Sequence, residues 1–268
     1  MANITNVVLT GACGGIGRRL AEAFLAEGAS VALVGRDETG LAELVARAPA
    51  RARSYTPDVS DSAAMNAVAD DWVASFGVPD VVVANAGVAS GFDTAEADDL
   101  AVMKRMLEIN LLGVATTFQP FIAGMRDQRR GTLVGIASIA GWRGMPGNGA
   151  YAASKGGLIR YLQSLRAELR PHGITVTTIS PGYVKTPLIA GNTMHMPGMI
   201  QPEDAARRIV AAIRSGREKA TVPRRTGLIS RALGILPDRL VDRILLGEPR
   251  KPRAGEPGST EIPGLQRR

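Results

Sequence analysis

The chain has 268 residues, 45% hydrophobic and 21% charged, long enough for one large α/β domain or two small ones with a substantial core. One cysteine excludes a disulfide scaffold, and 31 glycines without a three-residue period, in a chain of globular apolar content, exclude collagen-like and disordered classes. The formal charge of +7 sits at the end, with 12 Lys/Arg against 6 Asp/Glu from Arg217 onward and 20 against 19 before it, so it argues poorly for a nucleic-acid partner.

Strand-like runs at 6–10, 30–34, 52–55, 80–84, 132–137 and 175–179 alternate with helical patterns at 16–27, 38–48, 62–76, 98–125, 151–170 and 202–215. Runs such as Val7-Val8-Leu9 and Val81-Val82-Val83 are continuous rather than alternating, as strands covered on both faces require. The pattern predicts an α/β fold, a doubly wound parallel sheet of about seven strands with helices on both faces. No linker divides residues 1–222, which read as one domain. Residues 223–247 read as an amphipathic helical extension broken by Pro237, and the proline- and glycine-rich residues 248–268 as a mobile end. No run of eighteen apolar residues and no basic-then-apolar leader is seen, so a soluble cytoplasmic chain without a transmembrane segment is expected.

The first strand runs into Thr10-Gly11-Ala12-Cys13-Gly14-Gly15-Ile16-Gly17, where a helix begins. A glycine-rich turn between strand and helix brings backbone N–H groups to a phosphate at the positive end of the helix dipole. Gly11 would permit the tight turn, Gly15 the approach of a pyrophosphate and Gly17 close helix packing, although such turns are often only turns. Cys13 reads as a small filler. The second strand ends in Val34-Gly35-Arg36, with no acid at 35 to bond a ribose 2′-hydroxyl and an arginine suited to a 2′-phosphate. That favours NADP over NAD, with Asp37 keeping NAD open.

Ser138 closes the fifth strand, and Tyr151 and Lys155 open a long helix four residues apart, hence on one face. A neighbouring ammonium would lower the phenol pKa from near 10 toward a working acid/base, and Ser138 would hold a substrate oxygen against it. A tyrosine packed in the core beside a solvated lysine is the plainer alternative.

Together these pieces resemble the Tyr-dependent short-chain dehydrogenase/reductase family over residues 3–222. Its motifs stand here as Thr10-Gly11-x-x-x-Gly15-Ile16-Gly17, Asp58-Val59, Asn85-Ala86-Gly87, Asn110, Ser138, Tyr151-x-x-x-Lys155 and Pro181-Gly182 with Thr186. The resemblance implies a Rossmann-type fold and NAD(P)-dependent hydride transfer between a carbonyl and an alcohol. It further implies that Asp58 bonds the adenine amino group with Val59 beside the ring, and that Asn85-Ala86-Gly87 lie beneath the cofactor. By the same resemblance Asn110 would hold a relay water, Lys155 the nicotinamide ribose, and Pro181, Gly182, Val184 and Thr186 the nicotinamide. Homodimers or homotetramers built on the long helices after Asp98 and Tyr151 are implied as well. The runners-up are a catalytically silent dinucleotide sensor and an NAD-dependent alcohol dehydrogenase.

The substrate is expected to be bounded by the loop 188–200, including Met194, and by Trp142, Met145 and Asn148. Few charges stand among these residues, so an apolar or aromatic carbonyl compound is expected; Arg143 or Lys185 facing the pocket would weaken that reading. His172 and His195 lack partners at ligand spacing, so no metal is expected. The basic extension reads as a lid or subunit contact rather than a membrane or nucleic-acid anchor.

Overall fold

Strands β1 (Asn6–Thr10), β2 (Ser30–Val34), β3 (Ala52–Tyr55), β4 (Val81–Ala84), β5 (Gly131–Ile136), β6 (Ile174–Pro181) and β7 (Lys219–Val222) form one parallel sheet. Their spatial order is β3-β2-β1-β4-β5-β6-β7. The computed structural model describes residues 4–189, 196–260 and 262–265, without the side chains at 228, 229 and 231–233. Strand order reverses between β1 and β4, opening a crevice at the carboxyl ends of the strands, where ligands bind in sheets of this kind.

Each strand supplies both layers of the core. Val7 and Leu9 face α1 (Gly15–Ala26), α2 (Glu38–Ala46) and α7 (Pro202–Arg214), packing with Leu20, Phe24, Leu41 and Ile209. Val8 and Val82 face α3 (Ser62–Phe76), α5 (Gly113–Gln128) and α6 (Gly149–Leu169), packing with Trp72, Phe118 and Leu162. Burial on both faces is what the continuous valine runs required. Asp37 and Asp61 cap α2 and α3 by accepting from the amides of Gly40 and Ala64, contacts of about 1 kcal/mol each.

The expected helix over 98–125 is divided. α4 (Asp99–Leu107) passes through a π-helical turn (Glu108–Leu112) into α5, and Asn110 sits in that turn. By length and composition the stretch Asp99–Gln128 is apolar enough to cross a bilayer, with a mean hydropathy of 1.2 over its best window. Here Phe118, Phe121 and Met125 pack it into the core. β7 escaped the sequence reading because Lys219-Ala220-Thr221-Val222 has no apolar run; it is an edge strand whose Lys219 is exposed.

After Pro223 the chain forms α8 (Arg224–Ile235) and α9 (Asp238–Leu245), divided at Pro237. Beyond them the end expected to be mobile lies against the domain. The Gly91 amide donates to the Pro252 carbonyl (2.9 Å), Arg250 pairs with Asp93 (2.8 Å), and Thr260 donates to the Ala89 carbonyl (2.8 Å). Ile262 is buried with Val102 and Met106 of α4. Proline and glycine deny this strap a regular ladder, but its arginines meet acids on α4 and on the loop before it, and these contacts offset the entropy of ordering it.

Candidate active site

The ends of β1 and β4 are tied together by side chains. Thr10 Oγ1 accepts from the amides of Asn85 and Ala86, and Asn85 Nδ2 donates to the carbonyls of Thr10 and Gly11, all at 3.1 Å. Gly11, at φ +67°, turns the chain there, and a Cβ on Gly17 would stand 1.9 Å from the Gly11 carbonyl oxygen. Gly17 therefore seats α1 under the turn and does not itself line the cavity above it. α1 starts from Gly14 with no side-chain cap and no acid in its first turn, leaving its first N–H groups available to an anion.

A cavity of about 500 Å³ runs along this edge of the sheet. Gly11, Cys13, Gly14, Gly15, Ile16 and Arg36 line one end; Asn85, Ala86, Gly87, Ser138, Tyr151 and Lys155 line the middle; Pro181, Gly182, Val184 and Thr186 line the opposite wall. Thr186 reaches over the turn, its Cγ2 lying 2.9 Å from where a Cβ on Gly15 would be.

At the end of β2, Gly35 leaves room for the Cys13 thiol, whose Sγ would lie 2.4 Å from a Cβ at position 35 and which donates to the Asp37 carbonyl (3.4 Å). Burial pushes the Cys13 thiol pKa up, so it is a filler rather than a reactive thiolate. Asp37 spends its carboxylate on α2 and does not line the cavity. Arg36 lines it and has no ion pair among the described residues.

Tyr151 and Lys155 share a face of α6, with Nζ 6.0 Å from the phenol ring centroid. Ser138, at the end of β5, accepts from the Ala140 amide (3.2 Å), and its side chain faces the Tyr151 phenol. The expected lowering of the phenol pKa by the ammonium is not found in the free protein. Burial raises it, with only Ser138 working in the other direction. Lys155 turns its ammonium to the Ile136 carbonyl (2.9 Å), and its own pKa is drawn down to about 8 by burial.

Asn110 is fully buried beside these groups. Its carboxamide accepts from the Val88 amide (2.8 Å) and donates to the Val88 carbonyl (2.9 Å) and Ser154 Oγ (3.0 Å). A Cβ on Gly87 would contact both Asn110 Oδ1 (3.2 Å) and Lys155 Nζ (3.4 Å), so these three residues are immediate neighbours.

Several expected residues lie elsewhere. Asp58 is outside the lining because its carboxylate is taken by Arg105 of α4 and by Ser60. Val59 is buried under α5, where its carbonyl accepts from Thr116. Trp142 packs against the core beneath α8 instead of entering the cavity. Met145 and Asn148 do line it, while Met194 and His195 fall outside the described residues. Lys185 is exposed and away from the lining, whereas Arg143 is part of it, paired with Asp238 (2.8 Å), which weakens the wholly apolar reading. No cluster of metal-ligating side chains occurs among the described residues. Val241, Ile244, Leu245 and Lys251 line the cavity from the extension and strap. Sequence periodicity carried no signal for Lys251, whose position depends on contacts with residues about 100 and 160 positions earlier.

The cavity fits a nicotinamide nucleotide. Nothing stands within 4 Å of a Cβ on Gly14, Gly15 turns at φ +50°, the first amides of α1 are uncapped, and an unpaired guanidinium waits at the same end. Among known proteins, a family described as short chain dehydrogenase matches residues 5–196. An uncharacterized oxidoreductase of Myxococcus xanthus is 34% identical over 238 residues, 88% of this chain and 94% of that protein. A cis-4-hydroxycyclohexanecarboxylate dehydrogenase of Sinomonas cyclohexanicum is 33% identical over 215 residues, covering 80% and 85%. The crystal structure of a short chain dehydrogenase/reductase from Burkholderia phymatum in complex with NAD superposes with a TM-score of 0.78 at 26% identity, covering 95% of this chain and all of that one.

Proposed function

This chain belongs to the short chain dehydrogenase family of oxidoreductases, with that family's Rossmann-like fold, and on that footing we propose that it reduces a ketone or aldehyde to an alcohol at the expense of NADPH. The observation that carries the reading is the convergence of Ser138, Tyr151 and Lys155 on a cavity continuous with the glycine cradle and Arg36.

When bound, the nicotinamide supplies the hydride, or takes it up in the reverse direction. Tyr151 gives its hydroxyl proton to the carbonyl oxygen, and Ser138 donates a hydrogen bond to the same oxygen. Burial keeps the phenol protonated, the form that an acid in reduction needs. Lys155 holds the nucleotide's ribose and offsets the phenolate left when the proton departs. Because the Asn110 carboxamide is engaged with Val88 and Ser154, a relay water would bond its backbone carbonyl in the π-helical turn. Met145, Leu188, Ile189, Val241 and Ile244 give the substrate end an apolar wall, which supports an apolar or aromatic body. Assembly as a homodimer or homotetramer through the long helices belongs to the same reading, supported by the exposure of Leu100 and Leu112.

Tyr151→Phe tests the assignment. Reduction of a ketone panel should fall to background while NADPH binding, followed by nucleotide fluorescence, persists. A variant that still turns over would remove Tyr151 as the acid.

A further inference from the structure

Lys251 enters the cavity from a segment that has no part in the nucleotide-binding architecture. Its backbone is wedged between two glycines: a Cβ on Gly91 would stand 2.3 Å from the Lys251 carbonyl oxygen, and one on Gly147 (φ +70°) would stand 3.0 Å from its nitrogen. The residue is 9% exposed, and its ammonium has no hydrogen bond or ion pair among the described residues. The strap is held by Arg250, Arg253 and Thr260, so the ammonium is not needed to anchor it.

The charges around the cavity leave this group unmatched. Its described lining carries Arg36, Arg143, Lys155 and Lys251 and no carboxylate. Arg36 stands at the glycine-cradle end, Lys155 is bonded to Ile136 and Arg143 to Asp238. Among the described residues, Lys251 alone is a cation at the substrate end with no paired group. Nearby, the Asn148 carboxamide oxygen is buried without a partner, and the surrounding wall is Met145, Ile244 and Leu245. Burying a lone ammonium is unfavourable unless an anion joins it, and burial already draws this one's pKa down to about 8.

We propose that Lys251 determines specificity by binding a carboxylate of the substrate, so that the reductase inferred above acts on oxo acids with an apolar body. The proposal rests on that reading for the word substrate, but the carboxylate site itself does not depend on turnover.

The test uses the full chain and three oxo acids of different reach, 4-oxopentanoate, 6-oxoheptanoate and 4-acetylbenzoate, each beside its methyl ester. A charge-assisted hydrogen bond predicts that at least one acid is preferred over its ester by roughly tenfold or more in kcat/KM. Lys251→Met should remove that preference and leave ester reduction within about threefold, whereas Lys251→Arg should keep the preference. Binding of the non-reducible 4-ethylbenzoate to the nucleotide-free protein, read by saturation-transfer NMR, should weaken in Lys251→Met and persist in Lys251→Arg. Esters reduced as well as acids, with Lys251→Met changing neither, would overturn the proposal and leave the reductase reading intact. Equal losses on acid and ester in Lys251→Met would overturn it also, by showing a role in folding. Lysine-dependent binding of 4-ethylbenzoate without reduction of any ketone would uphold the carboxylate site and sink the reductase reading. No turnover and no binding would overturn both.

Discussion

Arg253 grips the Asp99 carboxylate with two hydrogen bonds, Nε at 2.8 Å and Nη2 at 3.1 Å, across 154 residues of sequence. Asp99 is 3% exposed, and burial alone would raise its pKa; Arg253 and the Asp93 amide outweigh that and hold the carboxyl below its usual range. The pair fastens the strap to the first turn of α4, and with it the residue that reaches the cavity.

Arg253→Ala leaves this buried carboxylate without its cation, a loss on the order of 2 kcal/mol for a pair exposed on one side. The urea midpoint should fall, and trypsin should cut within residues 248–265 at concentrations that spare the native chain. Deleting residues 248–268 should likewise lower turnover. An unchanged midpoint together with full activity of the truncated chain would show the strap to be dispensable.

Arg36→Ala should weaken NADPH by roughly tenfold or more and NADH little, since a guanidinium contact to a 2′-phosphate is charge-assisted. Titration of both reduced nucleotides by fluorescence distinguishes the outcomes. Equal losses for the two would reverse the cofactor assignment.

Gly17→Ala places a methyl group where the Gly11 carbonyl oxygen stands, and backbone cannot yield as a flexible side chain does. Overpacking of this kind costs about 1–3 kcal/mol and moves the turn. Thermal stability and affinity for either nucleotide should fall together; a variant with native affinity would show that the turn tolerates the shift.

In the nucleotide-free protein, burial draws Lys155 and Lys251 down to about 8 from 10.5. Between those values the unfolded chain binds more protons than the folded one, so stability should rise with pH from about 8 toward 10. Cys13, pushed up, opposes this weakly, and above about 10 the raised Tyr151 reverses the sign. Melting temperatures across this range should climb in the native chain and climb less in Lys155→Met. A flat native profile would mean that neither amine is desolvated as its surroundings suggest.

The alternation of strands and helices was legible because a two-sided sheet demands continuous apolar runs, and Val7-Val8-Leu9 and Val81-Val82-Val83 supply them. The glycine turn and the Tyr151–Lys155 spacing were legible because their geometry is local, one turn or one helical face. β7 was not, since an edge strand needs little apolar surface. The pairing of Asp58 with Arg105 was not legible, because the two lie 47 residues apart. The contacts of the strap were not legible for the same reason: proline and glycine describe how a segment behaves alone, whereas its placement depends on Asp93 and Asp99.

Gly35 and Cys13 occupy one volume between them, and this joins two positions that a designer would treat separately. An acid introduced at 35 to read a free ribose hydroxyl would collide with sulfur, so Gly35→Asp alone would disrupt the turn before it altered nucleotide choice. Seating an acid at the end of β2 therefore calls for a paired exchange, in which position 13 shrinks as position 35 grows.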